Sequence, residues 1–131
     1  MTHVLVVEDD ADIRSMLAVR MQAAGFAVSV APDARAALSA ARRHRPDVIV
    51  LDLRLPGMSG VEFCREVRAD ADLAGIGVVV ASASVGEASV AAAYDAGADD
   101  FVTKPFSLAA LLGRVRSVAS EVASRRPVAV A

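Results

Sequence analysis

Acidic side chains and one lysine follow short apolar runs at three places in this sequence. One apolar run ends at Glu8 and Asp9, and another ends at Asp52. A third, strand-like segment ends at Lys104. Carboxylates gathered beside a lysine can bind a divalent cation together with a phosphoryl group. If these residues meet in space, the sequence predicts phosphoryl chemistry at an aspartate.

The elements that would position these residues are short strands that alternate with helices. We predict strands at residues 4–7, 26–31, 47–51, 78–81 and 100–103. We predict a first helix that opens at residues 10–12 and stops at Gly25, and further helices at residues 32–44, 60–69, 87–96 and 107–124. This alternation predicts an α/β fold, a doubly wound parallel sheet with helices on both faces.

In such sheets, ligands bind beyond the carboxyl ends of the strands. Five polar residues are predicted to lie at that edge: Glu8, Asp9, Asp52, Ser82 and Lys104. The carboxylates would concentrate negative charge, which a hard dication such as Mg²⁺ relieves. Asp52 could then attack phosphorus, while the Lys104 ammonium and the Ser82 hydroxyl bind oxygens of the phosphoryl group.

Composition limits the class of protein. The 131 residues suit one domain, and we take residues 1–124 as that domain and residues 125–131 as a short C-terminal tail. The net charge of −2 gives no indication of a nucleic-acid surface. Cys64 is the single cysteine, so no intramolecular disulfide can form. Because we find neither a signal-peptide pattern nor an apolar run of bilayer length, we expect a cytoplasmic protein without membrane contact.

Four motifs in order carry a family resemblance. They are Val6-Val7-Glu8-Asp9, the segment DVIVLDLRLPGMSG at residues 47–60, Ser82-Ala83, and the segment GADDFVTKPF at residues 97–106. With these motifs, residues 3–122 resemble the receiver domains of response regulators in two-component signalling, the CheY-like superfamily. The resemblance implies a flavodoxin-like (βα)5 fold with strand order 2-1-3-4-5.

The resemblance also implies roles for individual residues. Asp52 would be the phosphoacceptor, and Mg²⁺ would be bound by Asp9 directly, by Glu8 through a water, by Asp52 and by the backbone carbonyl of Arg54. Ser82 and Lys104 would bind the phosphoryl group, and the Lys104-Pro105 peptide bond would be cis. The phosphoryl donor would be a histidine kinase or a histidine phosphotransfer protein.

A switch follows from the same resemblance. Movement of the Ser82 hydroxyl toward the phosphoryl group would open space into which Phe101 turns. The signal would leave through the face formed by the fourth helix, the fifth strand and the fifth helix, toward an output partner or a second copy of the chain. Receiver domains catalyse their own phosphorylation and dephosphorylation, but we class the chain as a switch and not as an enzyme.

The sequence departs from the family pattern at several positions. Ser82 replaces the commoner threonine, and Phe101 replaces the commoner tyrosine. Arg54 and Ser84 stand two residues beyond Asp52 and Ser82, where receivers modulate the lifetime of the phosphoryl group. We hypothesise that the cationic Arg54 alters access of the hydrolytic water.

The output face also departs from the pattern of charge-paired receiver dimers. Asp100 and Arg114 form one expected pair, but Val90 and Ala110 are uncharged where a second pair would stand. The face is instead small and apolar, and we therefore predict either a different dimer or a partner protein there. The residues assigned to this apolar surface are Val90, Ala91, Ala92, Ala93, Ala109 and Ala110.

The sequence also allows three other functional interpretations. We predict a stand-alone receiver, and the alternative is the N-terminal part of a multidomain regulator such as a transcription factor, with no nucleic-acid binding by these residues themselves. A phosphohydrolase of one large aspartyl-phosphate family would need a second aspartate where the chain has Arg54. A receiver that never accepts phosphate is disfavoured by the intact acidic set.

The first predicted helix carries an apolar stripe at helical spacing. Ile13, Leu17 and Met21 form this stripe, with Met16 as a further candidate, and we predict that it faces the core.

Four other residues have structural explanations that need no function. Asp10 is predicted to cap the first helix. Cys64 is predicted to be a small core residue, and His3 and His44 are predicted to be surface residues.

Overall fold

Strands and helices alternate strictly along the part of the chain that the structure describes. The computed structural model describes residues 1–83, 86–105 and 107–125, with the backbone alone at residue 125. The elements, in chain order, are β1 His3–Val7, α1 Ala11–Ala23, β2 Ala27–Ala31, α2 Ala34–Arg43, β3 Val48–Leu51, α3 Gly60–Ala69, β4 Gly77–Ser82, α4 Glu87–Asp95, β5 Asp100–Thr103 and α5 Leu108–Arg125.

The five strands form one parallel sheet in the order β2-β1-β3-β4-β5. The predicted fold class and strand order are therefore confirmed. Val7 pairs with Leu51, and Ser82 pairs with Thr103. Because the carboxyl ends of parallel strands lie at the same edge of a sheet, the residues that follow β1, β3 and β5 lie at the same edge as Ser82.

Both faces of the sheet are covered, which explains why the strands read as continuous apolar runs. Side chains of one parity, such as Leu5 and Ile49, pack with α2, α3 and α4. Side chains of the other parity, such as Val4 and Val48, pack with α1 and α5. Cys64 lies fully buried in the first of these cores, as predicted.

Polar caps fix where the helices on the site edge begin. The Asp10 carboxylate accepts hydrogen bonds from the backbone N–H groups of Asp12 and Ile13, at 2.9 and 3.0 Å. Asp33 caps α2 and Ser59 caps α3 in the same manner. The predicted cap at Asp10 is confirmed, and each cap satisfies N–H groups that have no partner within the helix.

Helix periodicity gave the wrong environment for two residues of α1. We predicted Ile13 as core, with Met16 as a further candidate, but these side chains are 40% and 49% exposed. They line a surface cavity with Ala83, Lys104 and Pro105, beyond the carboxyl ends of the strands. Of the residues of α1, only Leu17 and Met21 are buried.

The prediction that His3 is a surface residue was also wrong. His3 begins β1, which has strands on both sides, and only 8% of the residue is exposed. Its ring stacks on His44 with 4.4 Å between centroids, and its Nε2 lies 2.7 Å from the Ser29 hydroxyl oxygen. His44 is exposed, as predicted.

The last helix extends one residue into the predicted C-terminal tail. Arg125, which we assigned to the tail, is the last residue of α5, and residues 126–131 lie outside the described part. Among the helices described, none has the length and apolar character needed to cross a bilayer.

Candidate functional site

Strand register brings the predicted site residues to one edge of the sheet. Glu8 follows β1, Asp52 follows β3, Ser82 ends β4, and Lys104 follows β5. The backbone N–H of Lys104 donates to the Ser82 carbonyl at 2.9 Å, which continues the β4–β5 pairing into the site. The Lys104-Pro105 peptide bond is cis.

Asp52 is the centre of this group. Its Oδ1 accepts hydrogen bonds from the Ser82 hydroxyl and from the backbone N–H of Arg54, each at 2.9 Å. Its Oδ2 accepts a hydrogen bond from the Lys104 ammonium, also at 2.9 Å. The carboxylate therefore lies among donors that can equally bind the oxygens of a phosphoryl group.

The surroundings of Asp52 favour its ionised form. Burial by itself would raise the pKa of the carboxyl group. The hydrogen bonds from Arg54, Lys104 and Ser82, with the positive charge of Lys104, outweigh burial and lower the pKa below its ordinary value. Asp52 is thus a carboxylate at neutral pH, as a nucleophile toward phosphorus must be.

Glu8 has the opposite electrostatic environment. Only 7% of the residue is exposed, and its Oε2 lies 3.8 Å from the Lys104 ammonium nitrogen. Burial raises the pKa of Glu8, and the charges of Asp9 and Asp52 add to this increase, whereas Lys104 and the Asp10 N–H oppose it. The ionised form of Glu8 is therefore costly, and a cation beside it would lower that cost.

The donor set fits Mg²⁺ but is sparse for metals that need more protein ligands. In the described part of the chain, no three His, Cys, Asp or Glu side chains are grouped closely enough to hold a metal. Mg²⁺ needs only one or two carboxylates, because waters and a phosphate oxygen complete its shell. Glu8 provides a buried carboxylate and Asp52 a partly buried one, and Asp9 is an exposed acid next to Glu8.

The predicted switch residues lie on adjacent strands. Ser82 is completely buried, and Phe101 pairs with Val80 in the β4–β5 register. Phe101 is half-buried and packs against the core on the α2, α3 and α4 face. Their roles in switching stay predictions, and Ser84 lies outside the described residues.

Sequence reasoning missed Gly60 as a residue that shapes the site. A Cβ atom at Gly60 would lie 2.6 Å from the Asp52 carbonyl oxygen and 2.7 Å from the Leu53 Cα. Backbone atoms cannot move aside as a flexible side chain can, so only glycine fits where α3 begins against Asp52. The available signal was a glycine at the first position of a predicted helix, where better helix formers are expected.

The chain is similar in sequence to known proteins. The family model for the response regulator receiver domain matches residues 4–116. The transcriptional regulatory protein CseB of Streptomyces avermitilis is 44% identical over 117 residues, which are 89% of this chain and 48% of CseB. The DNA-binding response regulator MtrA of Mycobacterium tuberculosis is 41% identical over 115 residues, which are 88% of this chain and 49% of MtrA. The chain thus spans about half the length of these curated relatives.

A solved structure shows the same likeness. The chemotaxis response regulator CheY4 of Vibrio cholerae matches with a TM-score of 0.84 and 32% identity, over 90% of this chain and 98% of that one. The family match contains every predicted site residue, from Glu8 to Lys104. The chain belongs to the response regulator receiver domain family.

Proposed function

We propose that this chain is a phosphorylation-activated switch whose phosphoacceptor is Asp52. The observation that carries the proposal is the geometry of the Asp52 side chain, which accepts hydrogen bonds of 2.9 Å from both the Ser82 hydroxyl and the Lys104 ammonium. The phosphoryl donor is a phosphohistidine of a histidine kinase or of a histidine phosphotransfer protein, and the chain acts in the cytoplasm.

The transfer is a substitution at phosphorus. A carboxylate oxygen of Asp52 forms the new P–O bond while the P–N bond of the phosphohistidine breaks, and the bonding electrons leave with the imidazole. Lys104 and Ser82, which hold Asp52 before transfer, donate to phosphoryl oxygens afterwards. Since these donors are placed before the reaction, little reorganisation is needed when charge develops on the transferring group.

Mg²⁺ would be held by Glu8, Asp9, Asp52 and the backbone carbonyl of Arg54. When bound, it supplies positive charge that offsets the negative charge of the carboxylates and of the phosphoryl group. The chain's own contribution is to bury Glu8 near the carboxylates of Asp9 and Asp52, which makes its ionised form unfavourable, and Lys104 opposes this effect.

The signal leaves through α4, β5 and α5. Ser82 ends β4, and Phe101 lies on the neighbouring strand, so a shift of the Ser82 hydroxyl toward the phosphoryl group frees space for Phe101 to turn inward. This changes the face that an output partner or a second copy of the chain contacts. The chain catalyses only its own phosphorylation and dephosphorylation, and in that sense it is not an enzyme.

Acetyl phosphate with Mg²⁺, read by intact mass, tests the chemistry. We expect one phosphate adduct on the wild-type chain that requires Mg²⁺ and is absent from Asp52→Asn. Asp72→Asn is the matched control, because Asp72 is an exposed aspartate at the opposite end of α3 from the site. An adduct that persists in Asp52→Asn, or no adduct from either acetyl phosphate or a phosphohistidine donor, would contradict the proposal.

A second candidate function concerns the rest of the protein. CseB and MtrA are regulators matched over about half their lengths, which favours the alternative that this chain is the receiver part of a DNA-binding regulator. CheY4, matched over 98% of its chain, favours a stand-alone receiver. An immunoblot of the native source separates the two, because a stand-alone receiver gives a band near 13.5 kDa and a two-domain regulator gives a band about twice as heavy.

A further inference from the structure

The loop that carries Glu8 and Asp9 is held by an arginine of the following helix. Arg14 reaches back six residues, and its Nη1 donates a hydrogen bond of 2.9 Å to the backbone carbonyl of Glu8. Arg14 is half-buried, whereas its neighbours at the start of α1 are exposed: Ala11, Asp12, Ile13, Ser15 and Met16. The guanidinium group is thus directed at the backbone of the acidic loop.

Other contacts fix the same loop on both sides of Asp9. The backbone N–H of Glu8 donates to the Ala31 carbonyl at 3.0 Å, and the N–H of Asp10 lies 3.3 Å from the Glu8 Oε1. The Asp10 carboxylate caps α1. Asp9 therefore lies between two residues whose backbone is fixed, and this fixed backbone sets where its exposed carboxylate can reach.

We infer that Arg14 is a positioning residue for the Mg²⁺ site, since it holds the Glu8 carbonyl and thereby orients the Glu8-Asp9 backbone. This inference rests on the proposed function, in which Glu8 and Asp9 bind Mg²⁺. Arg14 itself carries a positive charge and cannot be a ligand. It acts through the loop, as groups that orient metal ligands do elsewhere.

The direction in which Mg²⁺ affinity changes on replacing Arg14 distinguishes a positioning role from a purely electrostatic one. Arg14 is a cation close to a site that binds a cation, so removing its charge should tighten Mg²⁺ binding if charge alone matters. If Arg14 orients the loop, removing it should weaken Mg²⁺ binding, because the carboxylates then lose their fixed geometry. The two explanations predict opposite changes in the Mg²⁺ dissociation constant.

Titration of ¹⁵N-labelled protein with MgCl₂, followed by NMR amide shifts, measures that constant for each variant. Arg14→Met removes both the donor and the charge, while Arg14→Lys keeps the charge and one donor group. Arg20→Met is the matched control, since Arg20 is an exposed arginine in the last turn of the same helix. Amide shifts without Mg²⁺ report whether each variant is folded and whether changes are confined to the loop.

We expect Arg14→Met to weaken Mg²⁺ binding by roughly three- to tenfold, the net contribution of about one hydrogen bond. We expect Arg14→Lys to recover most of the affinity and Arg20→Met to leave it unchanged. Unchanged or tighter binding in Arg14→Met overturns this inference alone. Absence of Mg²⁺ binding by the wild-type chain overturns the proposed function, and this inference with it. If Arg14→Met does not fold, Arg14→Ala replaces it, since it also removes both the donor and the charge. Weaker Mg²⁺ binding by Arg14→Ala then supports the inference, and unchanged or tighter binding overturns it.

Discussion

At the scale of single residues, the proposed function requires the Asp52 carboxylate to stay ionised in a partly enclosed site. Asp52 is partly buried, yet three donors keep it ionised, and one of them is the backbone N–H of Arg54. The Arg54 side chain is exposed beside this contact. A guanidinium group there can pair with phosphoryl oxygens and obstruct the path of a water toward phosphorus.

We therefore expect Arg54→Ala to shorten the lifetime of the Asp52 phosphate by about fivefold, near the net contribution of one ordinary hydrogen bond. Decay of the phosphorylated protein, followed by intact mass after removal of acetyl phosphate, measures that lifetime. Arg43→Ala serves as the control, because Arg43 is exposed at the end of α2, at the opposite edge of the sheet. Equal decay rates in wild type and Arg54→Ala would refute the hypothesis.

At the scale of elements, α4, β5 and α5 are joined through the Asp100 carboxylate on the proposed output face. Arg114 on α5 donates to both Asp100 oxygens at 3.1 and 3.0 Å, and the Tyr94 hydroxyl on α4 lies 3.4 Å from Asp100 Oδ1. The expected Asp100–Arg114 pair thus forms within one chain. Ala93 of α4 is fully buried and belongs to the core, so it is not part of this surface.

Tyr94 reports on this arrangement through its pKa. Burial first, and then the negative charge of Asp100, raise that pKa above its ordinary value, while Arg114 opposes the increase. Because the folded chain holds the phenol proton more tightly than the unfolded chain, the associated stability is present below the unfolded pKa. It is lost as pH rises through the pKa of folded Tyr94.

The chain has one tyrosine and no tryptophan, so ultraviolet absorbance titration follows Tyr94 alone. We expect Asp100→Asn to lower the pKa of Tyr94 and Arg114→Ala to raise it, relative to the wild type. Ser117→Ala, at an exposed site on α5, should leave the pKa unchanged. Shifts of the same sign in the Asp100 and Arg114 variants would contradict the described contacts.

At the scale of the whole molecule, much of the fold follows from local sequence signals. The bounds of α3 and β5 match the prediction, and other predicted ends differ by one or two residues, as the fraying of element ends allows. The approach of Asp52, Ser82 and Lys104 could be predicted because all three stand at strand ends, and parallel strands share an edge. Those predictions needed only the local pattern and the sheet rule.

What could not be predicted depends on distances between segments remote in sequence. Ile13 and Met16 have the spacing of a core stripe and are nevertheless exposed, because periodicity does not tell which positions of a stripe the rest of the fold covers. The contacts of Arg14 and the requirement for Gly60 involve backbone carbonyls, which carry no signal in the sequence. The same limit applies to Arg68, whose partners are mostly main-chain oxygens.

Arg68 joins the ends of α3, β4 and the turn before β5. Its guanidinium donates to the Gly97 carbonyl at 3.0 and 2.6 Å, to the Ala74 carbonyl at 2.8 Å, and to the Ile76 carbonyl. It also pairs with Asp99 at 2.9 Å, and the same Asp99 oxygen accepts the Val78 N–H at 2.8 Å. These links hold the amino-terminal ends of β4 and β5, away from the phosphoryl site.

We expect Arg68→Met to lower the free energy of unfolding by about 3 kcal/mol, because the carbonyls and Asp99 lose a half-buried partner. Arg68→Lys should recover only part of the loss, since an ammonium cannot reproduce the planar fork of donors. Arg65→Met, at an exposed position of the same helix, should change the free energy by less than about 0.5 kcal/mol. Urea unfolding with an unchanged m value measures these differences. Equal midpoints for Arg68→Met and Arg65→Met would mean that this network contributes little to stability, and that the packing of the two apolar cores is sufficient to hold the sheet.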